Sequence, residues 1–282
     1  MSIVVKDHLF TLHTKNTSYQ LTADDHGILR HLYYGAKVEN ADFSYLVQQR
    51  DRGFSGNPDD AGDDRTLSFD TLPLEYPVLG CGDYREACLA VTHPDGSRAL
   101  DLRFEAYRVL PGKPKLTGLP ASLPDENTET LEIQLCDCVS GLCVWLSYAL
   151  FSEKDVITRS VSVSNCGTKK VVLDQLLSCN LDFMFGKYDM IYFYGRHAME
   201  RNLERVPVKG AKVEIGSRRG TSSHQYNPSV IICPPETTET SGDCYGLCLA
   251  YSGNFTARAQ RDQRNQTRVQ MGIQPDQFRV VL

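Results

Sequence analysis

Tryptophan is nearly missing from this chain, and so are long apolar runs, blocks of one charge and any Cys-x-x-Cys pair. No apolar stretch approaches the roughly 20 residues that span a bilayer, so no membrane partner is expected. The opening "MSIVVKDHLFTLHTKN" has neither the apolar core nor the small-residue cleavage site of a secretory leader, and a cytoplasmic protein is expected. The formal net charge is −5 and Lys and Arg are dispersed, which argues against a nucleic-acid surface. The ten cysteines are irregularly spaced. That spacing excludes a zinc ribbon, and without a leader it predicts free thiols, mostly buried as small apolar residues. Asn16, Asn254 and Asn265 open glycosylation sequons, which carry little meaning without secretion.

What the chain does have is alternation. "ALDLRFEAYRVL" places Leu102, Phe104 and Ala106 on one face and Arg103, Glu105 and Tyr107 on the other. "TLEIQLCDC" and "GLCVWLSYALF" read as a hairpin across "VSG", with Leu131, Ile133 and Leu135 facing Leu142, Val144 and Leu146. "DVITRSVSVSN" alternates Ile157, Val161 and Val163 with polar residues. Val-, Leu-, Tyr- and Thr-rich runs broken by Gly, Pro, Asn and Asp are the strand-and-turn pattern. Helical patterns are scarce, and "HAMERNLERV" is the best short one. The expected fold is all-β, with antiparallel sheets packed as a large sandwich and few short helices.

Two irregular stretches stand out, 50–80 and 110–128. Long loops inside β-domains tend to carry function. The first contains "DRGFSGNPDDAGDDR", residues 51–65, with five aspartates, two arginines and one aromatic, Phe54. Asn57, Asp59, Gly62 and Asp63 faintly suggest a calcium loop. Ala61 and Ser68 occupy positions where an EF-hand needs ligands, so no metal site is expected. Ser222, Ser223 and His224 lack the strained turn of a hydrolase nucleophile. Asp182 and Asp189 form an acid–base pair only if their separation permits it. "GKPKLTGLP" has no phosphate-cradle spacing. No catalytic residue, metal or cofactor is therefore assigned within the chain.

The stretch "RGFSGNP…DDRTLSFDTLPLEYP…GCGDYR" resembles the amino-terminal region of the α-galactosidases of glycoside hydrolase family 36. "GKPKLTGLPA", "TLEIQLCD", "DVITRS", "ERVPVKGAKVEIGSRRGTSSHQYNP" and "YGLCLAYSGNF…TRVQMGIQPDQF" follow in the family's order, so the resemblance covers essentially residues 1–282. It implies a single β-supersandwich domain over 1–282 that precedes a catalytic (β/α)8 barrel. In the family that barrel removes terminal α-galactosyl residues with retention, and its nucleophile lies in a Lys-Trp-Asp motif. No such motif occurs here, where the one tryptophan is Trp145 in "CVWLS". The chain is therefore expected to be the non-catalytic amino-terminal domain, inactive alone. Its expected partners are an α-galactoside sugar, the barrel and neighbouring subunits of a homo-oligomer.

The same resemblance gives the polar loop a task, reaching into a neighbouring subunit's sugar pocket. The family's loop aspartate falls on Asp51, and the arginine of its "DRT" element falls on Arg65. A carboxylate accepts from sugar hydroxyls and a guanidinium donates to them. Phe54 is expected to pin the loop, which is otherwise expected to be mobile. Where the family has a tryptophan near substrate, this chain has His197 in "YGRHAMER", a smaller and titratable ring. Gly56 stands where the family often has Pro, leaving a freer loop. A stand-alone lectin-like β-sandwich is the alternative reading of the same residues.

Overall fold

A computed structural model describes residues 2–39, 41–53 and 57–282, with Gln277 described through its backbone only. Among them, regular structure is almost entirely β, and the helical content is confined to short 3₁₀ turns at Ser44–Leu46, Asp59–Ala61, Ser152–Lys154 and Pro275–Gln277. The chain divides into two compact units, residues 1–173 with 281–282, and residues 174–280.

The first unit contains two four-stranded antiparallel sheets. One is β1 (Ile3–Lys6), β2 (Leu9–His13), β3 (Thr17–Ala23) and β4 (Leu29–Ala36) in that order. A short strand, β5 (Leu89–Thr92), precedes the second sheet, β6 (Arg103–Pro111), β7 (Thr128–Cys136), β8 (Leu142–Phe151) and β9 (Val156–Asn165). The two sheets face one another across aromatic rings. Phe10 meets Tyr107 edge-on at 5.1 Å, and Tyr19 lies 6.2 Å from Tyr148. The β7–β8 register sets Leu131 opposite Tyr148, Ile133 opposite Leu146 and Leu135 opposite Val144. Those residues are all buried. Each such side chain contributes about 1.5–3 kcal/mol on leaving water, so alternation alone fixes which face turns inward.

The β6 alternation needs correction. A register shift between Phe104 and Ala106 puts Phe104, Tyr107 and Val109 on the inner face, and Ala106 and Arg108 on the outer one. One extra residue in a strand reverses every side chain after it. The free-thiol expectation is also corrected. Cys136 and Cys143 stand opposite one another in the β7–β8 ladder and are joined by a disulfide. Of the other eight, Cys88 and Cys233 are buried, whereas Cys138, Cys166, Cys244 and Cys248 are exposed.

The second unit has two further sheets. β10 (Val172–Phe183) runs beside β17 (Thr267–Ile273), which pairs with β16 (Phe255–Arg261) and through it with β13 (Lys212–Ser217). The other has the order β12 (Met199–Pro207), β11 (Asp189–Arg196), β14 (Tyr226–Cys233) and β15 (Tyr245–Cys248). Phe183 and Tyr245, 4.9 Å apart, join the two. The predicted short helix at "HAMERNLERV" is strand β12 instead, paired along β11 with Phe193 opposite Leu203 and Ile191 opposite Arg205. Its Ala, Met, Glu and Arg favour a helix weakly, and a full ladder of cross-strand pairs outweighs that preference. Positive φ at Ala198 (60°) and Arg201 (61°) marks the turn and a kink that a helix could not contain.

Candidate functional site

The polar loop of the first unit is closed at its neck. Arg52 N–H donates to the Arg65 carbonyl at 3.1 Å. Directly beside this bond, Arg65 Nη2 meets Asp51 Oδ1 at 3.1 Å, with the two side chains 59% and 60% exposed. Asp51 Oδ1 also accepts the Gly53 N–H at 2.8 Å, a turn that Gly53 makes at φ 62°. Arg52 points away from solvent and donates to Asp70 at 2.8 Å, where Ser68 also donates. The structure therefore brings Asp51 and Arg65 together, and it brings them together as a pair. Such an exposed pair is worth little in stability, and its charges stay available to a ligand.

The loop beyond the neck has more anchors than its composition suggests. Phe54 and Gly56 lie outside the described residues. From Asn57 onward the chain is stitched down. Asn57 Nδ2 donates to the Asp64 carbonyl at 3.0 Å, and the Asp64 carboxylate accepts both the N–H and the hydroxyl of Thr66. Those Thr66 bonds hold the Asp64 carboxyl below its ordinary pKa. Ala61 is buried with Ile28, Leu67, Phe69, Leu72 and Leu74. Asp60 reaches His26 Nδ1 at 3.1 Å and Arg103 Nη1 at 3.2 Å. Burial alone would raise the Asp60 pKa, but His26 and Arg103 together lower it. A mobile loop pinned only by Phe54 is thus the wrong picture for 57–65, because long-range partners invisible in its own composition hold it.

His197 belongs to the second unit, in the tight turn between β11 and β12, exposed beside left-handed Ala198. The adjoining strands carry a tyrosine surface that sequence reasoning missed. Tyr192 lies 6.4 Å from Tyr194 and 6.2 Å from Tyr226, and Tyr194 is 39% exposed. Its signal was the two-residue spacing of Tyr192 and Tyr194, which puts both rings on one strand face. An aromatic face beside an exposed imidazole is able to stack on a sugar ring and donate to its hydroxyls.

The remaining sequence candidates are structural. Asp182 is buried and takes two bonds from Arg268, at 2.8 and 2.7 Å. It belongs to a buried polar ladder in which Arg258 donates to Gln270 and Gln270 donates to Asn180, each at 2.9 Å. Asp189 accepts from Arg205 Nε at 2.7 Å, and Arg205 is spread further over the carbonyls of Thr237, Pro234 and Pro235. Ser223 Oγ accepts the Gln225 N–H, and His224 is exposed beside it without a nucleophile–base bond among the described residues. Among the described residues no group of three or more His, Cys, Asp or Glu is placed to hold a metal, and no helix is long and apolar enough to cross a membrane.

The chain belongs to the glycosyl hydrolase family 36 N-terminal domain family, whose model matches residues 27–282. It is 50% identical over 271 residues to the bifunctional α-galactosidase/sucrose kinase AgaSK of Mediterraneibacter gnavus, covering 96% of this chain and 29% of that protein. It is 41% identical to α-galactosidase 1 of Pediococcus pentosaceus, covering 99% of this chain and 38% of that one. The solved galactosidase domain of the α-galactosidase–sucrose kinase AgaSK superposes with a TM-score of 0.97 at 48% identity, over 99% of this chain and 39% of that one. An AgaA variant from Geobacillus stearothermophilus, solved with raffinose, gives a TM-score of 0.94 at 39% identity over 97% of this chain and 38% of that one. The chain thus spans well under half the length of these relatives.

Proposed function

We propose that this chain serves as the amino-terminal, non-catalytic domain of an α-galactosidase that hydrolyses terminal α-D-galactosyl residues of galacto-oligosaccharides. The observation that carries the reading is its near-complete superposition on one part of α-galactosidases that extend far beyond it. The domain's architecture is read as a β-supersandwich. Its tasks are to support assembly into a homo-oligomer and to lend polar groups to a neighbouring subunit's sugar pocket.

Asp51 and Arg65 are the groups proposed for that task, and His197 is a further proposed substrate contact. The exposed Asp51–Arg65 pair supports this use. Sugar hydroxyls both donate and accept, so one ligand can take over both halves of the pair without leaving a charge unsatisfied. A cytoplasmic location is proposed as well.

The test compares two purified proteins, the 282-residue chain and the same chain continued into a family 36 barrel. Hydrolysis of p-nitrophenyl α-galactoside is expected from the second and not from the first. Turnover by the chain alone, with contaminating host enzyme excluded by a mock purification, would overturn the reading.

A further inference from the structure

The chain's single tryptophan sits on the outer face of the β6–β9 sheet. Inner-face positions of β8 are filled by Val144, Leu146 and Tyr148, all buried, whereas Trp145 and Ser147 are partly exposed. The register places two rows of side chains across this outer face. One row is Arg108, Glu132, Ser147 and Ser160, and the next is Ala106, Gln134, Trp145 and Ser162. Arg108 lies over the Trp145 ring at 4.7 Å. Its Nε donates to Glu132 at 2.5 Å, and Ser147 donates to the other Glu132 oxygen at 2.8 Å.

Two features separate this patch from an ordinary solvated sheet face. Arg108 and Glu132 neutralise one another beside the ring, and the positions on either side of Trp145 in its own row, Gln134 and Ser162, are uncharged. Among the described residues, the Gln134 amide and the Ser160 and Ser162 hydroxyls make no hydrogen bond, although they flank the indole. An aromatic ring bordered by unspent amide and hydroxyl groups has the chemistry of a sugar subsite. The ring takes the apolar face of a pyranose, and the amide and hydroxyls exchange hydrogen bonds with its edge.

We propose that the Trp145 face is a second carbohydrate site, separate in function from the polar loop, that holds a neutral oligosaccharide ending in an α-galactosyl residue. The choice of galactosyl ligand rests on the function proposed above; the sugar chemistry of the face does not. Bound sugar would sit against the indole and displace or share the Arg108 guanidinium. The contacts are few and solvent-facing, so binding in the millimolar range is expected, enough to keep substrate near the enzyme rather than to retain it.

Because Trp145 is the only tryptophan, its fluorescence reports this face alone. The test titrates the 282-residue chain with raffinose up to about 100 mM, a hundredfold above a millimolar Kd. Maltotriose is titrated in parallel, and calorimetry provides an independent readout. Raffinose is expected to change the emission saturably. The double variant Gln134→Ala/Ser162→Ala, shown to be folded by circular dichroism, is expected to bind at least tenfold more weakly. Absence of a saturable response in the wild-type chain would overturn the proposal, as would a response to maltotriose without one to raffinose. It would also be overturned if Asp51→Asn abolished the raffinose response while the double variant kept it, because that assigns the sugar to the loop. The readout is binding, not turnover, so failure of the α-galactosidase reading and failure of this site are distinguishable.

Discussion

Arg159 on β9 reaches across the first unit to Glu75, its Nη2 2.5 Å from Oε1 of a carboxylate with no exposed surface. Tyr19 and Tyr148 donate their hydroxyls to the same carboxylate, and His31 Nδ1 lies 3.4 Å away. Burial alone would raise the Glu75 pKa, but Arg159, His31 and Tyr19 together hold it below the ordinary value of 4.5. One charge from the loop "LPLEYP" thus ties both sheets of the unit together.

Glu75→Gln should therefore destabilise the domain by about 3–5 kcal/mol, because Arg159 is left buried without its partner. The sign of the pH dependence follows from the lowered pKa. The stabilisation is fully present above pH 4.5 and is lost as pH falls through the lower folded value. Urea melts of wild type and variant at pH 7 and pH 3 check this. Their stabilities should converge at the acid end.

Asp182→Asn should cost stability by a similar mechanism, about 3–5 kcal/mol, since Arg268 would lose its buried bidentate partner. In a barrel-containing enzyme kept below its melting temperature, kcat should be unchanged. A lowered kcat in a fully folded variant would return Asp182 to the list of chemical groups.

Thiol titration in denaturant should find eight free thiols without reductant and ten after reduction. Cys136→Ser/Cys143→Ser should leave eight under both conditions. Ten free thiols in the air-purified protein would show that the β7–β8 pair does not close.

How much of this was legible follows from how far each signal travels. Alternation is local, so β7, β8 and β9 were readable from Leu131 to Val163 together with their inner face. The disulfide was not readable that way, because alternation gives the face of each strand and not the register; the observed Leu135–Val144 pairing is what sets Cys136 opposite Cys143. The β6 bulge was not readable, because nothing in "RFEAYR" marks Glu105 as the extra residue. The "HAMERNLERV" strand was hidden behind helix-forming side chains whose preference is weaker than a strand ladder. In the site, Asp51 and Arg65 were chosen by resemblance, and the chemistry of the two side chains alone favoured their pairing with each other on the surface, which is the contact the structure has. The partners of Asp60, His26 and Arg103, lie on other elements and could not be foreseen. Asp60 is consequently unsuitable as a silent control for the loop, whereas Asp63 is exposed and serves that purpose.

The most direct measurement of the central claim is a comparison of kcat/KM on raffinose for Asp51→Asn and Asp63→Asn in a barrel-containing enzyme, with the oligomeric state of each verified by sedimentation. If the loop completes a sugar pocket, Asp51→Asn loses a charged hydrogen bond to substrate, about 1.5–3 kcal/mol, which is roughly ten- to a hundredfold in kcat/KM. Asp63→Asn should match wild type. Equal kinetics for the two variants in an intact oligomer would contradict the account and leave the loop a piece of scaffold.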